Sequence, residues 1–167
     1  MPVCNCKTRH TTLSPESVRP QAALTLMELL ADPSGQVSLL KADPDGDYYI
    51  DYRPWRDSSE FAPSPMWMRS HADGISVYAL VVDDVKKSSR LTQELAGITQ
   101  QVRPVVAFWK RNQVWVDGWL PAEAINQNQL CGLIGTVGQV ADSHGLMIAT
   151  VYGGSHVTRT FADDTSN

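Results

Sequence analysis

The chain has 167 residues, of which 43% are hydrophobic and 19% charged, a size and composition typical of one globular domain with an ordinary core. Its formal net charge of -4 and the lack of a basic stripe argue against nucleic acid as a main partner. No apolar run approaches the roughly 20 residues that cross a bilayer, so we expect no membrane partner.

The N-terminal stretch "MPVCNCKTRHTT" is polar and aperiodic, so residues 1–13 are predicted to form a flexible arm. It has no apolar segment or cleavage site of a secretory leader, which favours a cytoplasmic location. Cys4, Cys6 and His10 are candidate ligands for zinc or copper(I). Because no second Cys or His pair supplies the fourth ligand of a closed zinc site, we predict that the protein uses no metal or other cofactor.

The first half of the chain predicts one helix and two hairpins. "LSPESVRPQAALTLMELLADPSG" indicates a helix with Ser14 as N-cap and Pro15 in its first turn. "QVSLLKADPDGDYYIDYRP" indicates a hairpin that turns at "DPDG", and "WRDSSEFAPSP" a loop. "MWMRSHADGISVYALVV" indicates a second hairpin around Asp73 and Gly74.

The second half predicts two further helices and a hairpin. "DDVKKSSRLTQELAGITQQV" has helical spacing of apolar residues, and "PAEAINQNQLCGLIGTVGQVADSHG" begins the last long helix. Residues 146–152 fit either a strand or a helix, and residues 155–167 are predicted to be a flexible tail. Antiparallel strands with helices between them indicate a single α+β domain over residues 14–154.

The hairpin "VVAFWKRNQVWVDGWLPAE" at residues 105–123 has two unlike faces. A two-residue turn at Arg111-Asn112 pairs Phe108 with Trp115, and Asn112 accepts the positive φ that this turn needs. One face is uniformly apolar and is predicted to be core, with Val105, Ala107, Trp109, Val114 and Val116.

The other face of this hairpin mixes Phe108 and Trp115 with Lys, Gln and Asp, and Trp119 continues the same side. Exposed aromatic clusters with a polar rim mark interaction surfaces. Phe108, Trp115 and Trp119 are therefore candidate partner-binding residues. The alternative is that another segment of this chain covers them.

Three glycines are spaced by three in "GLIGTVG" of the last helix. Gly132 and Gly135 lie opposite the predicted apolar stripe, and Gly138 lies on its flank. They form a possible interface at which another backbone could approach closely. The alternative is a weakly helical, solvent-facing segment.

Asp142, Ser143 and His144 are sequence neighbours in "ADSHG". Sequence neighbours do not make a catalytic triad, because the groups must converge in space with an oxyanion hole. We therefore predict no catalytic residues and no enzymatic activity.

The second half of the chain resembles the YbjN-like and type III secretion chaperone-like superfamily. The likeness lies in a strand, a helix of the "SSRLTQELAGIT" type, a hairpin with a charged tip, a helix begun by "LP", then "VAD" and a final "GG". The cysteine-containing arm and the loop "RPWRDSSEFAPSP" depart from this pattern. The resemblance implies an antiparallel sheet with helices packed on one side, in the order α-β-β-β-α-β-β-α.

The resemblance also implies a non-enzymatic, often homodimeric protein that binds peptides or unfolded segments, and some relatives are described as sensory-transduction regulators. We therefore predict a protein- or peptide-binding module that acts through exposed aromatic side chains. The alternative hypothesis is a small-molecule-binding domain or small enzyme with a pocket near Trp55, Trp67 and His71.

Overall fold

The computed structural model describes residues 15–32, 37–42, 47–52 and 64–158. A short 3-10 turn precedes the last helix. In chain order the elements are α1 (Pro15–Leu30), β1 (Val37–Ala42), β2 (Tyr48–Tyr52), β3 (Met66–Ser70), β4 (Gly74–Asp83), α2 (Ser89–Gln101), β5 (Val105–Lys110), β6 (Gln113–Pro121), α3 (Gln127–Tyr152) and β7 (Ser155–His156).

The strands form an antiparallel sheet in the order β1-β2-β3-β4-β6-β5, and the short β7 pairs with the end of β4. All three described helices lie against one face, which we call the covered face. The predicted α+β fold with an antiparallel sheet and helices on one side is confirmed. The structure has four strands before α2, one more than the order that the resemblance implies.

The covered face holds the core. Ile75 and Val77 of β4 point into it and are fully buried, because alternate residues of a strand point to opposite faces. Helix α3 crosses β4 and β6 and brings Leu133 and Val137 onto Gly118. A Cβ at Gly118 would lie 2.6 Å from Leu133 and 2.9 Å from Val137, so this close packing depends on glycine.

The β5–β6 hairpin has the predicted register. Phe108 pairs with Trp115, and Trp109 pairs with Val114. Arg111 and Asn112 form the turn with φ of 52° and 62°, the left-handed values that a two-residue hairpin turn of this type requires. The turn residues and the apolar alternation together therefore fix which side chains share a face.

Helix α2 begins later than the sequence indicates. Asp84 has a φ of 54°, and the backbone N–H of Val85 donates to the carbonyl of Asn112 at 2.8 Å. The helix starts at Ser89, where the Ser88 side chain accepts from the N–H of Leu91 at 3.1 Å. The acidic pair at the end of β4 is thus part of a turn against the hairpin tip, not a helix start.

Helix α3 continues through residues 146–152, which settles the open choice between strand and helix. Gly145 lies inside it and is packed against His156. The helix ends at Gly153 and Gly154, whose φ values are 83° and 95°. Ser155–His156, the first residues of the predicted tail, form β7, while residues 159–167 lie outside the described ranges.

Within the described ranges, no helix is both long enough and apolar enough to span a membrane.

Candidate functional site: the open face of the sheet

The face of the sheet opposite the helices is formed by the other set of alternating side chains, and we call it the open face. On β4 it carries Ser76, Tyr78 and Leu80, and on β6 it carries Trp115, Asp117 and Trp119. Among the described elements, no helix packs on it. No described helix therefore shields its side chains from a partner.

Three aromatic side chains lie side by side on the open face of β2, β3 and β4. Tyr49 pairs with Trp67, and Trp67 pairs with Tyr78. Their ring centroids are 5.0 Å apart for Tyr49 and Trp67, and 5.7 Å for Trp67 and Tyr78. These separations are typical of favourable aromatic contacts, so cross-strand packing holds the rings in place.

The line of rings continues onto β6 and β5. Trp115 lies diagonally from Tyr78, and its ring centroid is 6.1 Å from the rings of both Tyr78 and Trp67. Phe108 lies directly opposite Trp115 on β5. We call Tyr49, Trp67, Tyr78, Trp115 and Phe108 the aromatic row. It runs across the strands of the sheet, with a diagonal step between β4 and β6, and its members are half-buried.

Trp119 forms a second aromatic position on the open face, four residues beyond Trp115 on β6. Its side chain is 36% exposed, and its ring centroid is 5.3 Å from that of His71. The ring lies on Gly74, where a Cβ would be 2.6 Å from a ring carbon. His71 is held in turn by a 2.8 Å hydrogen bond between its Nε2 and the Ser76 hydroxyl.

Asp117 lies between these two aromatic positions. Trp115 and Trp119 flank it along β6, and Tyr78 and Val106 lie opposite it on β4 and β5. Burial raises the pKa of this carboxyl, and the nearby His71 partly offsets the rise. Its Oδ1 is buried and has no hydrogen-bond partner among the described residues. A carboxylate in this setting is poorly solvated and is available to a donor that approaches the face.

The edge of the sheet next to this face is already occupied. Strand β5 has β6 on one side and α2 on the other. The N–H of Ala107 donates to the Thr99 hydroxyl of α2 at 2.9 Å, and the N–H of Val105 donates to the carbonyl of Val102 at 3.0 Å. Edge groups that are bonded in this way do not pair readily with another strand. Contact through side chains on the open face is therefore favoured over strand addition at β5.

The predicted partner-binding residues Phe108, Trp115 and Trp119 thus lie on one face, as the hairpin pattern indicates. Trp109 faces the other way, is half-buried against the core, and donates from its Nε1 to the Val85 carbonyl at 2.9 Å. The sequence pattern placed Asp117 on this face of the hairpin but did not single it out as a binding residue. Sequence reasoning also missed how Tyr49, Trp67 and Tyr78 join the same row, although the alternation in "DYYIDY" and "MWMRS" carried the signal.

The three glycines of α3 differ from the expectation of a shared outward face. Gly138 is buried, and a Cβ there would lie 3.2 Å from Tyr52. Gly135 also faces Tyr52, and a Cβ at Gly135 would lie 3.1 Å from the Tyr52 hydroxyl oxygen. Only Gly132 of the three faces open space. The close approach at Gly135 and Gly138 is thus made by this chain's own β2.

Asp142, Ser143 and His144 do not converge. Asp142 accepts a hydrogen bond from the Ser64 hydroxyl at 2.6 Å, and burial raises the pKa of its carboxyl. The Ser143 hydroxyl donates to the Gln139 carbonyl at 2.6 Å, and His144 lines a groove between α3 and α2. The three side chains therefore have separate surroundings.

The remaining predicted sites fall only partly within the described ranges. In these ranges no cluster of His, Cys, Asp or Glu could hold a metal ion, and Cys4, Cys6 and His10 lie outside them. Trp67 and His71 are both on the open face, whereas Trp55 lies outside the described residues. The pocket near these three residues stays a prediction.

Comparison with known proteins identified a family and several solved structures of similar fold. A family profile described as "T3SS (YopN, CesT) and YbjN peptide-binding chaperone 1" (TY-Chap1) matches residues 24–160. The fold is similar to a chain in the "Crystal Structure of the ExsC-ExsE Complex", with a TM-score of 0.52 and 14% identity over 82% of this chain and 96% of that chain. At this identity the likeness shows the fold alone. A search of curated proteins found no match.

Proposed function

Because this chain belongs to the family of type III secretion and YbjN peptide-binding chaperones, we propose that it binds protein or peptide clients through the open face of its sheet. The observation that carries this proposal is the aromatic row on a face that no described helix covers. The family is described as one of peptide-binding chaperones, which supports a function in binding.

The composition of the open face fits a peptide surface. Aromatic side chains supply a large apolar contact area with few rotatable bonds, which is why they are enriched among the residues that dominate binding energy. Lys110 and Gln113 lie at the hairpin end of the face and form a polar rim. A rim of this kind excludes water from the central contacts and keeps the free protein soluble.

The row is also rigid before a client arrives. The Trp115 indole donates to the Gln113 side chain at 3.2 Å, and Trp67 is held between Tyr49 and Tyr78. Side chains that are already fixed lose little entropy on binding, which favours affinity. A regulator that sequesters a protein partner would use the same surface.

Selection of peptides from a random displayed library tests this proposal. Enriched peptides are then titrated by fluorescence anisotropy against the wild type, Phe108→Ala, Trp115→Ala and Leu146→Ala. Leu146 is an exposed apolar residue of α3 on the helix side and serves as the matched control. We expect the two open-face variants to bind at least about tenfold more weakly, as for central interface residues.

The control variant is expected to bind as the wild type does, and circular dichroism verifies that each variant remains folded. Wild-type affinity in both folded open-face variants would contradict the proposal, because the selected peptides would then bind elsewhere.

We also propose that the protein is a homodimer, as the resemblance implies. Support comes from apolar side chains on the helix side that face outward, Leu24 and Met27 of α1 at 62% and 60% exposure, and from the open space around Gly132. Light scattering coupled to size-exclusion chromatography is expected to give the dimer mass for the wild type. A Leu24→Ser, Met27→Ser double variant is expected to shift toward monomer, and a monomeric wild type would contradict the proposal.

A further inference from the structure

We propose that Asp117 selects the client: the open face recognises an extended segment in which a lysine or arginine lies between two apolar residues. This inference rests on the proposed function, since it names the chemistry of the client that the same face binds. It is carried by the position and surroundings of Asp117.

The carboxylate of Asp117 lies in a largely apolar neighbourhood, where the nearby His71 offsets only part of the rise that burial causes in its pKa. Its nearest neighbours on the open face are the rings of Trp115, Trp119 and Tyr78 and the aliphatic side chain of Val106, which is 49% exposed. A charge among such groups is costly unless it is paired. The arrangement is therefore poor for folding and suited to a partner that brings the missing charge.

The described cations on this face do not fill that role. Arg69 is paired with Asp47: its Nη2 lies 2.6 Å and its Nε 2.7 Å from Oδ2 of Asp47. The Arg69 guanidinium also lies 5.9 Å from the ring centroid of Tyr78. His71 is bonded to Ser76, and Lys110 lies at the tip of the hairpin. Oδ1 of Asp117 thus keeps an unused acceptor among the described residues.

The rings around Asp117 add a second reason for a basic partner. The faces of tryptophan and tyrosine attract ammonium and guanidinium groups, so Trp115, Trp119 and Tyr78 can surround a cation that pairs with the carboxylate. An acidic client residue would meet a like charge in a poorly solvated site. The formal net charge of -4 also favours the approach of basic segments.

The spacing on β6 defines the pattern of the client. Trp115, Asp117 and Trp119 are alternate residues of one strand, so their side chains are separated by about 7 Å along the strand. An extended peptide has the same repeat between alternate side chains. A segment that lies along β6 can therefore place a basic side chain on Asp117 and an apolar side chain on each tryptophan.

Defined peptides test this inference. Fluorescein-labelled peptides contain the core Phe-Ser-Lys-Ser-Phe, and matched peptides carry glutamine or glutamate in place of lysine. Affinities are measured for the wild type, Asp117→Asn, and Asp84→Asn, which removes the same charge from an exposed aspartate just after β4. We expect the wild type and Asp84→Asn to prefer lysine over glutamine by about tenfold, and glutamate to bind most weakly.

In Asp117→Asn the preference for lysine over glutamine is expected to vanish, while the glutamine peptide keeps its wild-type affinity. Asp117→Ser serves as a second variant if the asparagine protein does not fold. Equal binding of the three peptides to the wild type, including no measurable binding of any, overturns the inference. A lysine preference that survives in a folded Asp117 variant also overturns it.

Failure of the proposed function would look different. If Trp115→Ala leaves the affinity for all three peptides unchanged, the open face is not the binding surface. If Trp115→Ala weakens all three while Asp117→Asn changes none, the open face binds peptides but Asp117 does not select them.

Discussion

The two faces of the sheet are both rich in apolar atoms, but they are built from different residues. The covered face uses aliphatic side chains and Gly118, which let α3 pack closely on the strands. The open face uses five rings in a row and carries the poorly solvated carboxylate of Asp117. Aliphatic residues fill a closed core to high density, whereas rings fixed by their neighbours offer contact area to a partner. Under the proposed function, stability and recognition would therefore fall to opposite faces of the same strands.

The largest expected effect on stability comes from removing core volume on the covered face. Ile134 of α3 is fully buried, so Ile134→Ala leaves a cavity and is expected to lower the free energy of unfolding by about 2–5 kcal/mol. Urea denaturation followed by circular dichroism measures the change. The peptide affinity of the protein that remains folded is expected to be unchanged. A loss of affinity without a loss of stability would contradict the assignment of stability to the covered face and of binding to the open face.

A smaller loss is expected from added volume at the contact between α3 and β6. Gly118→Ala places a methyl group 2.6 Å from Leu133 and 2.9 Å from Val137, so one of the two must move. We expect about 1–3 kcal/mol of destabilisation, the usual range for overpacking. The matched control is Gly97→Ala in α2, where a Cβ has no neighbour within 4 Å and alanine should stabilise the helix. Thermal unfolding of the two variants should therefore shift in opposite directions.

Two tryptophans of one hairpin sharpen the comparison further. Trp109 packs against the core and bonds to Val85, whereas Trp115 packs beside Trp67 and Tyr78 on the open face. We expect Trp109→Ala to destabilise the protein by about 1 kcal/mol more than Trp115→Ala, because Trp109 packs against the buried core and bonds to a main-chain carbonyl. Peptide affinity is expected to fall only for Trp115→Ala. The reverse order of either effect would show that the faces are wrongly assigned.

The smallest expected effect is a slight stabilisation of the protein by Asp117→Asn. Burial raises the pKa of its carboxyl in the folded protein above the ordinary value of 3.8, so the charged form is less favourable folded than unfolded. Ionised Asp117 therefore lowers the free energy of unfolding at neutral pH. This destabilisation decreases as the pH falls through the raised pKa of the folded protein, and it is gone near the ordinary pKa of 3.8. Asp117→Asn should raise the melting temperature slightly at pH 7, and its advantage should disappear toward pH 3.8. A lower melting temperature at pH 7 would indicate that the carboxylate is paired.

The sequence supported the prediction of fold class and of the hairpin in some detail. The resemblance is confirmed by the family match, and the antiparallel sheet with helices on one side is confirmed by the structure. Asn112 at the turn and the alternation on either side of it determined the pairing of Phe108 with Trp115. Local rules suffice here because turn length and side-chain period are properties of neighbouring residues.

Other features depended on contacts that are distant in the chain. Trp67 joins Trp115 only because β3 and β6 both pair with β4, and the strand order is not a local property. Gly135 and Gly138 look outward on a helical wheel, yet Tyr52 of β2 packs on them. Helix α2 fits an earlier start by composition, but the hairpin tip binds Val85 and holds the preceding residues in a turn. Asp117 was not singled out because its neighbours come from three strands.

The unequal distribution of tryptophans between the faces has an optical consequence. Trp67 and Trp115 have ring centroids 6.1 Å apart at an interplanar angle of 51°, so their electronic transitions are close enough to couple in the near ultraviolet. Trp119 lies on the same face and Trp109 on the other. Among the described tryptophans, a ligand on the open face would change the emission and the circular dichroism of Trp67, Trp115 and Trp119 and leave those of Trp109 unaltered. The protein thus carries its own spectroscopic reporter, and occupancy can be followed without attaching a dye.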